Sequence, residues 1–174
     1  MKQFFFISLI LTALTFAGCT CTKQAGKGTA IEGLAKGMVI ETDKGKIEIE
    51  FYPSDAPQTV ARIQELVKSG FYNGLTFHRV VPGFVVQGGD PKGDGTGGSG
   101  QKLKAEFNGK KHVEGTVAMA RAQDKDSADS QFYISLGTHP HLDGSYTVFG
   151  QVTSGMEFVK QIKMGDKMKT VTLK

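Results

Sequence analysis

The stretch FHRVVPGFVVQGGD, residues 77–90, decides the fold. It reads as two short strands joined by a tight Pro-Gly turn, yet Arg79 and Gln87 sit among its apolar residues. A three-residue loop at Pro82-Gly83-Phe84 pairs Val81 with Val85 and sets Arg79 opposite Gln87. Directly opposed residues share a face of the sheet, so a guanidinium and an amide stand side by side. Taken alone, the segment favours an Arg79 that points to water, because lone charges on strands usually do. The alternative is a sheet face with a task, since an unpaired buried charge costs several kcal/mol.

Working outward, the same pattern recurs. Short β-rich segments at 76–81, 84–88, 116–120, 131–136, 147–152 and 169–173 are separated by Gly, Asn, Asp and Pro. Upstream, MVIETDKGKIEIEFY predicts a hairpin that turns at 43–46, with Ile47, Ile49 and Phe51 alternating against Lys46, Glu48 and Glu50. SDAPQTVARIQELVKSG predicts a helix: Ser54 or Asp55 as cap, Pro57 in the first turn, Val60, Ile63, Leu66 and Val67 on one face, and Gly70 as the stop. A shorter helix is expected over 154–162, capped by Ser154, with Met156, Val159 and Ile162 inward. Several short strands and two helices argue for a β-barrel or sandwich with helical caps.

The N-terminus has a different character. MKQFFFISLILTALTFAG, residues 1–18, has one lysine, an apolar run and small residues, the layout of an export signal. From Phe4 to Gly18 the run is 15 residues, short of the ~20 a spanning helix needs. Cys19 after Phe16-Ala17-Gly18 resembles the lipobox of bacterial lipoproteins, with Phe16 where an aliphatic residue is usual; the resemblance implies a lipid-modified Cys19. An uncleaved anchor is the competing reading. Thr20, rather than Asp, after Cys19 suits sorting to the periplasmic face of an outer membrane. Residues 19–37 are polar and Gly-rich, a tether with a reach of roughly 20–25 Å, and the folded domain is expected over 38–174. Both cysteines, Cys19 and Cys21, lie at this junction, which excludes a disulfide framework for the body.

Charge and motifs exclude other classes. Twenty-one basic and 17 acidic residues give +4, in alternating sign along the chain, with no nucleic-acid footprint. The loop PKGDGTGGSGQ holds two overlapping G-x-G-x-x-G patterns, but no apolar helix follows and no Gly-Lys-Ser/Thr closes it. DKDSADSQ has Ala128 where a calcium loop needs its fifth ligand. His139 and His141 lack a third metal ligand.

Taken together, FHRVVPGFVVQGGD, GTGG, EFNGKKHVEGTVAMARA, DSQFYISL and LDGSYTVFGQV resemble the cyclophilin-type peptidyl-prolyl isomerases, in order, from about Met38 to the C-terminus. The resemblance implies a closed eight-stranded antiparallel β-barrel capped by two helices, with the active site on its outer face. It implies that Arg79 is the catalytic arginine and Gln87 its partner. Phe84, Val85, Phe132, Tyr133 and Leu142 then cover or border a proline pocket, although alternation with Tyr133 gives Phe132 a core-facing alternative. Ala120, Arg121 and Ala122 match the segment whose backbone holds substrate, with Gly95 in the loop beside it. The expected partners are proline-containing polypeptides and, through Cys19, a membrane; the expected state is a monomer.

The residue types suit the reaction. Rotation about X-Pro faces a barrier of ~18–20 kcal/mol because the nitrogen lone pair is delocalised. In the twisted state that lone pair can accept a hydrogen bond, and a guanidinium that stabilises the twisted state more than the planar one accelerates exchange. No cofactor, metal or covalent step is needed. Several positions depart from the common pattern: His141 for Trp, Tyr133 for Phe, Tyr146 for His, Arg121 for Asn and Val85 for Met or Ile. His141 implies weak or no cyclosporin binding. The competing function is a module that holds proline segments at the cell envelope without turnover.

Overall fold

The computed structural model describes residues 34–174 together with Met1. Beyond Met1, the expected export signal, Cys19 and the expected tether up to residue 33 lie outside the described residues. The chain forms β1 (Gly37–Glu41), β2 (Lys46–Phe51), α1 (Pro57–Lys68), β3 (Arg79–Val81), β4 (Val85–Gly88), β5 (Thr116–Met119), β6 (Phe132–Ser135), β7 (Val148–Ser154), α2 (Met156–Val159) and β8 (Thr170–Leu173), with a 3₁₀ turn at Pro140–Leu142. All eight strands expected from the sequence form, and they make one antiparallel sheet in the order β3-β4-β6-β5-β7-β2-β1-β8.

The sheet curls into a half-barrel but its ladder does not close. β3 and β8 are its two edges, where the resemblance implied a closed barrel. The edge strands are three and four residues long, too short to meet along their lengths. The chain just before each edge strand makes the contact instead: Phe77 N–H donates to the Asp166 carbonyl (2.8 Å), Gly74 to Met168 (2.7 Å) and Met168 to Leu75 (2.8 Å).

Alternation sorts the side chains between two apolar clusters. The large one fills the concave interior, with Met38, Ile40, Ile47, Ile49, Val86, Met119, Phe132, Ile134 and Phe149 among its buried members and α1 contributing Val60, Ile63, Leu66 and Val67. The small one lies on the outer face: Val85, Ala118, Tyr133 and Val148, with Phe84, Ala120, Leu142 and Tyr146 packed on it. Residues 132, 134 and 86 point one way, and 133 and 85 the other.

Both helices differ in detail from the expectation. α1 starts at Pro57, but neither Ser54 nor Asp55 caps it; Ala56 holds the N-cap position without a side-chain bond. The free N–H groups of its first turn are taken by the Glu106 carboxylate, at 2.9 Å from Gln58 and 2.8 Å from Thr59, which satisfies the orphan donors from outside the helix. Gly70, at φ 72°, ends the helix as expected. α2 shrinks to four residues because β7 continues to Ser154, opposite Glu48 across a bulge, and Gly155 at φ 90° makes the turn. Its inward set survives in part: Val159 and Ile162 are buried, while Met156 is half-buried.

Candidate active site

The β3–β4 hairpin has the expected register: Arg79 opposite Gln87, Val80 opposite Val86, Val81 opposite Val85. Gly83 turns it at φ 70°. One Arg79 guanidinium nitrogen lies 3.4 Å from Gln87 Oε1, a long contact that orients without consuming the group. A guanidinium offers five N–H donors, and among the described residues no carboxylate pairs with Arg79. The cation stands exposed on the outer face, 5.9 Å above the Phe84 ring.

Two adjoining clefts open on this face. The first, of about 160 Å³, is lined by Arg79, Phe84, Val85, Gln87, Ala120, Arg121, Tyr133, Leu142 and Tyr146. Its walls are aromatic and aliphatic and its rim is the guanidinium, a shape suited to a small apolar ring next to a group that needs a hydrogen bond. The second, of about 230 Å³, shares Gln87, Ala120 and Arg121 with the first and includes Gly95, Ala122 and Gln131. The structure therefore brings together Arg79, Gln87, Phe84, Val85, Tyr133, Leu142, Tyr146, Ala120 and Arg121, and places Gly95 and Ala122 in the neighbouring cleft.

Phe132 does not belong to the site. It is 1% exposed and packs edge-on against Tyr72 and Phe149 in the interior, because strand alternation sends it opposite to Tyr133. His141 is exposed at the rim, its ring 6.0 Å from that of Phe84 and nearly parallel to it. The Arg121 side chain is engaged within the protein, beyond the backbone role that the resemblance implied. It donates to the Ser145 carbonyl through two nitrogens, at 3.1 and 2.9 Å, and to the Ala122 carbonyl at 2.9 Å. Its guanidinium carbon lies 4.8 Å over the Tyr146 ring, bracing that wall.

Sequence reasoning missed Gln131. Its Oε1 accepts from Gln87 Nε2 (3.0 Å), and its Nε2 donates to the carbonyls of Gly95 (3.0 Å) and Gly97 (2.8 Å). That chain of bonds fixes which end of the Gln87 amide faces Arg79. The signal was present, since Gln131 and Tyr133 are two apart and share a face. The Gly-rich loop is folded around carboxylates rather than aimed at a phosphate. Asp90 accepts from the N–H groups of Lys92 (2.8 Å), Asp94 (3.1 Å) and Gly95 (2.6 Å). Asp129 accepts from Ser99 (2.7 Å) and Gly100 (3.0 Å). Burial pushes the Asp90 carboxyl up, but the N–H groups of Lys92, Gly95 and Gly97 outweigh that and hold it below the usual range.

The curled eight-stranded sheet thus carries an outer-face cleft with an arginine and a glutamine facing each other at its rim. The chain belongs to the cyclophilin type peptidyl-prolyl cis-trans isomerase/CLD family, whose model matches residues 37–174. It is 53% identical over 137 residues to peptidyl-prolyl cis-trans isomerase B of Bacillus subtilis, covering 78% of this chain and 95% of that one. With a peptidyl-prolyl cis-trans isomerase of Helicobacter pylori it shares 48% identity over 146 residues, 80% and 89% of the two chains. A crystal structure of a Cryptosporidium parvum cyclophilin type isomerase, obtained in the presence of the dipeptide Ala-Pro, superposes with a TM-score of 0.73 at 29% identity, covering 79% of this chain and 98% of that one.

Proposed function

We propose that the outer-face groove binds proline-containing segments and rotates their X-Pro bonds, with Arg79 as the catalytic donor and Gln87 as the group that orients it. The observation that carries the assignment is Arg79 itself: a guanidinium at the rim of an apolar cleft, touching an amide and, among the described residues, no carboxylate. The proline ring enters the cleft of Phe84, Val85, Tyr133, Leu142 and Tyr146. The flanking peptide runs along Ala120–Ala122 past Gly95 and Gln131.

Raising the rate from roughly 10⁻² to 10³ s⁻¹ requires about 7 kcal/mol. One charge-assisted hydrogen bond from Arg79 to the prolyl nitrogen contributes about 1.5–3 kcal/mol. The rest comes from a groove that grips the ring on one side of the bond while the preceding carbonyl turns. These side chains act without a covalent intermediate.

The same proposal extends to the setting. The chain is exported, cleaved before Cys19 and lipid-anchored at the periplasmic face of an outer membrane, where it works as a monomer on exported polypeptides as they fold. The 74–77 and 165–168 segments complete the barrel that the ladder leaves open. His141 in place of an indole leaves cyclosporin weakly bound. Mass spectrometry of the mature N-terminus tests the anchor: a diacylglyceryl-modified Cys19 is expected, and an intact Met1 overturns it. NMR exchange on an Ala-Pro peptide tests the activity. Catalytic amounts of protein merge the cis and trans signals; binding shifts without exchange favour the module that holds proline segments instead.

A further inference from the structure

Behind the proline cleft lies a group that the Arg79–Gln87 chemistry does not use. His112 is fully buried (0% exposed) in the segment that leads into β5. Its Nε2 lies 2.9 Å from the Tyr133 hydroxyl and its Nδ1 lies 3.1 Å from Asp143 Oδ1. The same carboxylate oxygen accepts the His112 backbone N–H at 2.8 Å. A carboxylate can only accept here, so Nδ1 carries the proton. Burial holds the imidazole below its usual range against the raising pull of Asp143, which leaves one proton on the ring and Nε2 bare. The Tyr133 hydroxyl therefore donates inward, to Nε2.

The backbone of His112 makes the next link. Its carbonyl accepts the His139 N–H (2.8 Å), and His139 Nε2 donates to the Phe84 carbonyl (2.9 Å). Three walls of the cleft thus meet at one buried residue: Tyr133 through its hydroxyl, Leu142 through the adjacent Asp143, and Phe84 through His139. Tyr133 in turn sets Tyr146, whose ring meets it edge-on at 5.8 Å. A phenylalanine at 133 would have no group to make the first of these ties.

We propose that His112 is a positioning residue for prolyl binding, a single buried point to which the Tyr133, Leu142 and Phe84 walls are fastened so that the cleft keeps the width of a five-membered ring. This rests on the cleft being the proline site, as proposed above. Because the walls hold the ring in both planar and twisted states, loosening them raises KM more than it lowers kcat. Loss of Arg79 acts on kcat.

The test uses the folded chain and two variants outside the interior core, Tyr133→Phe and Asp143→Ala. Tyr133→Phe is expected to raise KM for an Ala-Pro peptide about two- to tenfold, the weight of one neutral hydrogen bond, and Asp143→Ala, which removes two bonds to a carboxylate, at least as much. The double variant should cost less than the product of the two, since both act through His112. Long-range ¹H–¹⁵N NMR should show His112 protonated on Nδ1 and bare on Nε2, and the Nε2 signal should move in Tyr133→Phe. A protonated Nε2 in the wild type, an unchanged KM, or fully multiplicative effects overturn the proposal. A wild-type chain without turnover refutes the catalytic reading instead, and peptide Kd in the same variants then tests the ties by the same pattern.

Discussion

Gln131→Leu isolates the amide chain behind the proposed catalytic pair. The substitution removes the bond accepted from Gln87 (3.0 Å) and those donated to the Gly95 and Gly97 carbonyls (3.0 and 2.8 Å). Both carbonyls belong to a solvent-facing loop, so water replaces what they lose and stability changes little. Gln87 fares differently. In the wild type its Oε1 faces Arg79 because its Nε2 is held by Gln131. Without that hold the amide can turn over and present N–H groups to the guanidinium, which pushes Arg79 away from the cleft. Loss of the orienting bond and of the loop anchor together amounts to about 1–2 kcal/mol of transition-state binding, or about five- to thirtyfold in kcat/KM. The assay is exchange on an Ala-Pro peptide, with thermal unfolding as the control for folding. A kcat/KM within twofold of wild type, with the Gln87 side-chain amide signals unmoved, refutes the reasoning.

Two further outcomes concern the scaffold. Glu106→Ala removes the only side-chain cap of α1 among the described residues and should lower stability by about 1–2 kcal/mol, read as a drop of roughly 3–8 °C in Tm; an unchanged Tm contradicts it. Asp90 is held below the usual carboxylate range by backbone N–H groups, so its contribution is present above the unfolded pKa of about 3.9 and is lost as pH falls through the folded value. Guanidinium midpoints followed from pH 5 down to pH 2 should fall more steeply for the wild type than for Asp90→Asn, and parallel curves would show that Asp90 carries no such linkage.

The strands and the Arg79–Gln87 register were legible because both depend on local pattern. β-Rich segments bounded by Gly, Asn, Asp and Pro marked the strands, with alternation marking β2, and a three-residue loop left only one way to pair Arg79 with Gln87. What was illegible depends on partners far along the chain. The α1 cap comes from Glu106, 48 residues from Gln58, so nothing near Pro57 announces it. α2 was drawn too long because the β7 bulge that carries the strand to Ser154 has no local mark. Phe132 and Tyr133 are chemically alike, and only the sheet face separates a core residue from a pocket wall. Gln131 and His112 acquire meaning once β4, β6 and the 140–143 turn are assembled, since their partners lie 21 to 44 residues away.

The most direct test of the central claim is Arg79→Ala in the NMR exchange assay, with peptide binding measured on the same sample. The account predicts that kcat falls by about ten- to a hundredfold, the weight of one charge-assisted hydrogen bond, while the peptide still binds in the cleft of Phe84, Tyr133 and Leu142. An Arg79→Ala variant that turns over Ala-Pro as fast as the wild type would contradict it.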